Sequence, residues 1–508
     1  MVLQGIMEVL SNPMTIVMVG VGTFIGIIFG SIPGLTATMA IVMFLPVTYA
    51  MQSTQGISML VALYIGGISG GLISAILLNI PGTPSSVATC FDGRPMAEKG
   101  QAAKALGTGV VFSFLGTIIG VVLLVVISPF LASVALKFGP FEYCALTIFS
   151  LSLVITLTGK DLPKGLISAV IGAMLATVGL APIDSKPRFT FDNVNLTAGF
   201  KLLVLLIGIF AITEVVKYAE KVRHPDAMEI NNSVKIRGFG FSLKEFVTQI
   251  PNAVRSALIG VGIGILPGIG GGVSCMISYT VAKNMSKHPE QFGTGIMDGV
   301  VASETANNGT IGGAMIPLLA LGIPGDAATA MLLGGLQVHG VAPGPLIFQK
   351  SGDVVYGVFF AMVLAALFML IFSLFGMRIF IKVLDIPKNL LLPVIVVLCC
   401  VGAIGDSNRI FDCWGVLIFG LMGYLLIKSK VTLTPMILGF ILGPTLETNT
   451  RRVSQLISGE NFLQHPIACV FLAIAVIVVV FSLRSNLMQA KGKAKVGAVS
   501  LVEDETEE

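Results

Sequence analysis

The stretch SETANNGTIGG, residues 303–313, places Glu304, Thr305, Asn307, Asn308 and Thr310 inside an otherwise apolar region. A carboxylate at the centre of a membrane costs at least about 2.5–3.5 kcal/mol, so Glu304 calls for a physical reason. The functional reading is a cation or proton site, with Glu304, Thr305, Asn307 and Asn308 as its side chains. The structural reading is a loop at the membrane interface, continuing from residues 293–299. A second set of candidates surrounds four Pro-Gly pairs that interrupt apolar segments: Pro33-Gly34, Pro81-Gly82, Pro267-Gly268 and Pro324-Gly325. Proline removes a backbone donor and clashes with the preceding turn; glycine adds freedom that folding must remove.

Each break lets the chain restart as a half-helix, whose first turn offers free N–H groups and about half a positive charge. Hydroxyls follow the breaks: Thr36 and Thr38, then Thr83, Ser85 and Ser86, then Ser274, then Thr329. Ser31, Asn79, Gly270 and Gly271 flank them. These residues fit helix capping, and they equally fit ligand contact. The apolar segments hold almost no Lys or Arg, so a bound anion cannot lean on buried basic side chains. Two opposed half-helix ends supply roughly one unit of positive potential. A di- or tricarboxylate carries more charge than that, and co-bound sodium ions or protons would make up the difference. Asp326, directly after Gly325, caps a half-helix or binds a cation; its charge opposes an anion. The plain alternative is that the breaks are packing kinks, and their recurrence at four repeated positions argues against it.

The elements that must hold these residues are membrane helices. The chain has 508 residues, of which 55% are hydrophobic and 11% charged, with a mean hydropathy of +0.93. Soluble proteins carry roughly 25% charged residues. At about 20 apolar residues per span, on the order of 10–13 membrane-crossing or re-entrant segments are expected. The 59 glycines suit close helix packing. Seven cysteines form no CxxC pair and read as packing residues. The first 13 residues lack any Lys or Arg, so no cleavable signal peptide with a basic leading region is expected.

A hydrophilic stretch, residues 217–246, carries Lys217, Lys221, Arg223, Lys235, Arg237 and Lys244. The positive-inside rule assigns it to the cytoplasm. It divides the chain into similar halves. GIIFGSIPGLTATM at 26–39 recurs as GVGIGILPGIGGGVSCM at 260–276. With Pro81-Gly82 set on Pro324-Gly325, Gly66 falls on Gly309 and Gly70 on Gly313. A weaker pair joins residues 159–174 to 405–422. The expected organisation is a first transmembrane repeat over 1–216, a basic linker over 217–246 and a second repeat over 247–465. A further helix follows over 466–483, then a disordered cytoplasmic tail over 484–508. The second half starts in the cytoplasm and the uncharged N-terminus favours the outside, which predicts inverted repeats. The fold class is thus an all-α polytopic membrane protein of two inverted repeats, with broken or re-entrant helices at the Pro-Gly pairs.

The chain contains no HExxH, GxGD or P-loop pattern, and nothing in it suggests nucleic-acid binding. Gly67-Ile68-Ser69-Gly70-Gly71 fits GxSxG, which raises an intramembrane serine protease using Ser69. A nucleophile needs a nearby base, and no His lies in an apolar segment of that half. His339 reads as a loop residue. A stand-alone carrier or channel for small anions is the other alternative, although repeated broken helices describe a carrier better than a pore.

GSIPGLTATMAIVMFLP, LLNIPGTPSSVATCFDG, SETANNG and IPLLALGIPG resemble the large membrane subunit of the tripartite tricarboxylate transporters, the TctA family. The resemblance runs from about Gly20 to about Gln464. It implies a multi-pass protein of the bacterial inner membrane, working with a small membrane subunit and a periplasmic solute-binding protein. It implies secondary uptake of an organic carboxylate anion, citrate-like, by symport with sodium or protons. No other cofactor and no catalytic residue is implied. By position, the four Pro-Gly motifs become substrate-lining elements, and Glu304, Asn307 and Asn308 fall on the family's E-[ST]-A-N-N segment.

Overall fold

The computed structural model describes residues 2–157, 162–221, 240–383, 388–456, 459–482 and 484. Most of the predicted linker and of the predicted tail lies outside them. The first half of the chain forms α1 (Val2–Ser11), α2 (Pro13–Ser31), α3 (Ala37–Thr48), α4 (Ser53–Leu78), α5 (Val87–Met96), α6 (Ala102–Ala135), α7 (Pro140–Leu157) and α8 (Leu162–Ala176). A two-stranded antiparallel pair follows, β1 (Gly179–Leu180) with β2 (Pro187–Arg188), Gly179 opposite Arg188. Then come α9 (Val194–Thr197), α10 (Leu202–Ile207) and α11 (Thr213–Lys221). The second half comprises α12 (Leu243–Gly264), α13 (Gly270–Met285), α14 (Met297–Leu321), α15 (Ala327–Val338), α16 (Ile347–Lys350), α17 (Gly352–Val383), α18 (Lys388–Ser407), α19 (Phe411–Lys428) and α20 (Thr434–Leu456).

Six helices among the described residues are long and apolar enough to cross a membrane: Pro13–Ser31, Ser53–Leu78, Pro84–Ala135, Leu202–Glu220, Gly352–Met377 and Ile410–Lys428. Seven further apolar helices are 10–17 residues long. At 25 residues α14 has the length to span, but its polar residues are enclosed by protein on every side: Val300 through Ala320 are all buried. A helix buried all round needs no amphipathic stripe.

The chain divides into two compact units. One comprises Met1–Lys137 with Phe200–Ser429; the other comprises Phe138–Gly199 with Lys430–Glu508. Each draws on both halves of the sequence. In the smaller unit α20 packs on α7 and α8. An Arg188–Glu447 ion pair of 2.7 Å ties β2 to α20, and Glu447 also meets Arg451 at 2.7 Å.

The larger unit holds the four Pro-Gly pairs. Its centre is α4 and α14, which run antiparallel: Ser69 meets Asn308, while Ile57 and Val61 share an apolar cavity with Met315 and Leu319. Beside α4 lies α2, running parallel to it, with Gly22 against Met59, Gly26 against Leu63 and Gly30 against Gly67. Beside α14 lies α12, also parallel, with Gly260 against Ala306 and Gly264 against Thr310. Small residues at these positions let backbones touch. The returning helices run the other way: Ala37 of α3 meets Gly67, and Ser278 of α13 donates to the Ala302 carbonyl at 2.9 Å. So α2–α3 and α12–α13 are helical hairpins whose tips carry Pro33-Gly34 and Pro267-Gly268. They approach from opposite ends of the α4–α14 pair. Two further contacts cross between halves: α6 packs on α14, and α17 packs on α4.

Candidate functional site

The chain leaves helix at all four Pro-Gly pairs, and the glycines serve two different needs. At the hairpin tips they supply a left-handed turn, with φ of 89° at Gly34 and 80° at Gly268. At the other two breaks they permit close approach. A Cβ on Gly82 would press on the Gly30 carbonyl oxygen, and one on Gly325 would lie 2.6 Å from the Gly264 carbonyl oxygen. The two breaks of each half are therefore neighbours, and in the second half Gly268 N–H donates to the Gly325 carbonyl at 2.8 Å. Upstream, α4 and α14 end alike, on left-handed caps at Asn79 (φ 57°) and Gly322 (φ 73°). Asn79 is exposed, so its part is this backbone turn.

Four helices restart at these breaks, and the start of α13 lies against the starts of α5 and α15. Gly67 of α4 packs on Ala37 at the start of α3. A Cβ on Gly270 would lie 3.3 Å from Asp326 Cβ, and one on Gly271 would lie 2.9 Å from Ser85 Cβ. The four ends are not equivalent. Thr36 caps α3, accepting from Met39 N–H at 3.2 Å. Asp326 caps α15 through a reciprocal box: Oδ1 accepts from Thr329 N–H at 2.8 Å, and Thr329 Oγ1 accepts from Asp326 N–H at 2.8 Å. The other Asp326 oxygen accepts from Tyr64 O–H at 2.5 Å. Neither α5 nor α13 has a side-chain cap. Before α5, Thr83 Oγ1 lies 3.0 Å from both Ser85 Oγ and Ser86 Oγ. Ser274 bonds Thr310 at 2.6 Å, and Ser31 donates to its own helix at the Ile28 carbonyl. Thr38 is buried in the first turn of α3.

Glu304 lies within α14 rather than in an interfacial loop, and it is 0% exposed. Its carboxylate accepts from Thr89 Oγ1 of α5 and, at 3.1 Å, from Ser113 Oγ of α6. Thr89 also touches Ser303 at 3.1 Å. Asn308 joins the same network: its Nδ2 donates to Ser113 Oγ at 2.8 Å and to the Glu304 carbonyl, and its Oδ1 accepts from Ser69 Oγ at 2.7 Å. The hydroxyl of the GxSxG stretch is thus bonded to an amide. Thr305 turns away, donating to the Val301 carbonyl at 2.6 Å. Asn307 is 1% exposed, and its side chain adjoins the Glu304 carboxylate. Its Oδ1 would lie 2.7 Å from a Cβ on Gly271.

The fold brings Thr83, Ser85, Ser86, Gly271 and Asn307 together, sets Glu304 and Asn308 just beside them, and groups Asp326 and Thr329 around the start of α15. Gly34 is exposed at its tip. His339 closes the end of α15, with Nε2 3.0 Å from Thr48 Oγ1. Sequence reasoning did not single out Thr89, Ser113, Thr117, Tyr64 or Asp92. Ser113 and Thr117 are one turn apart in a long apolar helix, which is the only local signal they carry. Asp92 is fully buried; its Oδ1 accepts from the N–H groups of Gly293, Gly295 and Ile296 at 2.8–3.0 Å, and its Oδ2 accepts from Tyr279 O–H at 2.8 Å. It fastens the loop before α14 onto α5. Among the described residues no three His, Cys, Asp or Glu side chains are grouped to hold a metal ion. The donors around Glu304 are all oxygens or amides.

The family described as "Tripartite tricarboxylate transporter TctA family" matches residues 16–438. A protein of Agrobacterium vitis, described as an uncharacterized 52.8 kDa protein in the TAR-I ttuC' 3' region, is 34% identical over 489 residues, covering 96% of each chain. A second from that organism, an uncharacterized protein in the TAR-II ttuC' 3' region, is 34% identical over 227 residues, 44% of this chain and 94% of its own. No solved structure matches the chain significantly.

Proposed function

This chain belongs to the tripartite tricarboxylate transporter TctA family, and from that premise we propose that it is the large membrane subunit of a secondary carrier for an organic di- or tricarboxylate. The carrier works in the bacterial inner membrane with a small membrane subunit and a periplasmic binding protein that delivers the anion. The observation that carries this reading is the meeting of the half-helix starts of α5, α13 and α15 near the buried Glu304 carboxylate, with no Lys or Arg side chain buried among the described residues. Helix N-termini attract anions. Each uncapped end contributes about half a positive charge, so α5 and α13 together offset only part of a multiply charged substrate. Glu304 stands one turn from Asn307 and adds a negative charge of its own. Substrate and Glu304 coexist once a proton or a sodium ion has joined them, and that requirement is the coupling. The oxygens of Thr89, Ser113, Ser303 and Glu304 suit a hard cation such as sodium.

Alternating access follows from inverted repeats. The antiparallel α4 and α14, each with a parallel partner and a returning hairpin arm, support that reading, as does the exchange of α6 and α17 between halves. Movement of one hairpin tip at a time would open the centre to one side. Uptake into proteoliposomes tests the proposal: citrate, succinate and malate would be offered with and without the purified binding protein, with sodium and proton gradients varied separately. Gradient-driven accumulation that needs the binding protein is the expected result. Accumulation that ignores the binding protein points to a stand-alone carrier, and gradient-independent equilibration points to a channel.

A further inference from the structure

We propose that Cys400 of α18 and Cys413 of α19 form a disulfide on the extracytoplasmic side of the membrane. The bond depends on which way the helices cross and is independent of the transport reading above. The two cysteines are 13 positions apart, on either side of a turn over residues 408–410. The Cys413 thiol lies 3.5 Å from the Cys400 carbonyl oxygen, and the two thiols are within hydrogen-bond reach of each other. Neighbouring sulfurs are the first requirement for a bridge. Both are free thiols and only partly buried, whereas the adjacent Cys399 is fully buried.

Sidedness decides which redox compartment the pair meets. Helix α11 ends at Lys221, inside the basic stretch that the positive-inside rule assigns to the cytoplasm. Helix α19 runs parallel to α10 and α11. A Cβ on Gly208 would lie 2.7 Å from the Val416 carbonyl oxygen, Thr213 Oγ1 donates to the Gly420 carbonyl at 3.0 Å, and Lys428 pairs with Glu220 at 2.9 Å. The Lys428 end of α19 is therefore cytoplasmic, and the Phe411 end, with Cys413 in its first turn, is extracytoplasmic. Trp414, the single tryptophan of the chain, is 63% exposed beside Cys413, and tryptophan collects at the membrane–water interface. Arg409 and Asp412 form a 2.8 Å ion pair at the same turn. Both features set Cys413 at interface depth, within reach of a soluble oxidant.

The bacterial periplasm is oxidising, and disulfides persist there. The step is thiol–disulfide exchange with an extracytoplasmic dithiol oxidant in its disulfide form. Two Sγ–H groups here and one disulfide on the oxidant become one Sγ–Sγ bond here and two thiols on the oxidant, which takes up both electrons and both hydrogens. The bond ties α18 to α19 behind the first hairpin. Tyr49, next after the end of α3, donates its O–H to the Gly402 carbonyl at 3.0 Å, so the bond fixes the helix on which α3 leans.

The test uses the full-length protein expressed in a bacterium, with all thiols trapped by N-ethylmaleimide in SDS at lysis. Peptide mass spectrometry without reductant should find Cys400 joined to Cys413, and reduction should free both for alkylation. Cys413→Ser should leave Cys400 open to the first alkylation. Full alkylation of both cysteines in the unreduced wild type overturns the proposal, and so does a bond from Cys413 to Cys399. Treating reduced, purified protein with copper phenanthroline tells the two failures apart. A bond that closes there but is absent in cells means that the pair meets no oxidant. A bond that does not close there means that the sulfurs do not meet. Either result overturns the disulfide and leaves the transport reading untouched.

Discussion

The loops that follow α4 and α14 share a Pro-Gly pair, a left-handed cap before it and a close approach to the neighbouring hairpin, but the space beside them is filled differently. With Pro81 set on Pro324, Thr83 corresponds to Asp326 and Tyr64 to Asn307. Beside the second loop, Tyr64 reaches across to Asp326, whose two oxygens are both engaged. Beside the first loop stand three small hydroxyls bonded among themselves and the Asn307 amide, which adjoins Glu304. One member of the pair is fixed by a cap and a cross-helix bond to Tyr64; the other is lined by small hydroxyls and an amide.

The largest expected effect tests what the two loops share. Gly82→Leu forces a side chain onto the Gly30 carbonyl and should abolish uptake. Gly34→Ala, at an exposed tip, should retain most uptake while costing about 1–2 kcal/mol of stability for its left-handed turn. Equal loss in both would mean that the two kinds of glycine are not distinct. Next, Glu304→Gln keeps the shape but removes the charge. Uptake should lose its normal sodium or pH dependence with little change in unfolding temperature, and an unaltered ion profile would detach Glu304 from coupling. Asp326→Ala probes the capped loop. It removes the cap and leaves the Tyr64 hydroxyl unpaired, a loss of about 2–4 kcal/mol, read as a lower melting temperature with the order of substrate preference intact. A changed substrate order would make the second loop a ligand site after all. The smallest effect is expected at Thr36→Ala, where losing a single cap bond costs about 1 kcal/mol in the same melting assay.

Much of this comparison was visible before any coordinates. The four Pro-Gly pairs, their recurrence and the hydroxyls after them stand in the chain as local patterns, because backbone breaks are written in Pro and Gly themselves. The polarity of SETANNG was equally plain. Its surroundings were not. An interfacial loop and a buried helix both accommodate Glu304 by composition, and only the enclosure of α14 by α4, α6, α12 and α13 separates them. Asp326 posed a choice between capping and cation binding; in the structure both of its oxygens are held, by Thr329 and Tyr64.

By itself, then, the sequence determined that this is a helical membrane protein of the TctA family, where its helices break and which polar residues stand near the breaks, since each of these follows from neighbouring residues along the chain. The tertiary structure decided which polar groups meet. Tyr64 and Asp326 are 262 positions apart, Thr89 and Glu304 are 215, and Ser113 and Glu304 are 191. Contacts at such separations depend on the direction and register in which whole helices pack. Small residues permit many such registers, and the assembled bundle selects one.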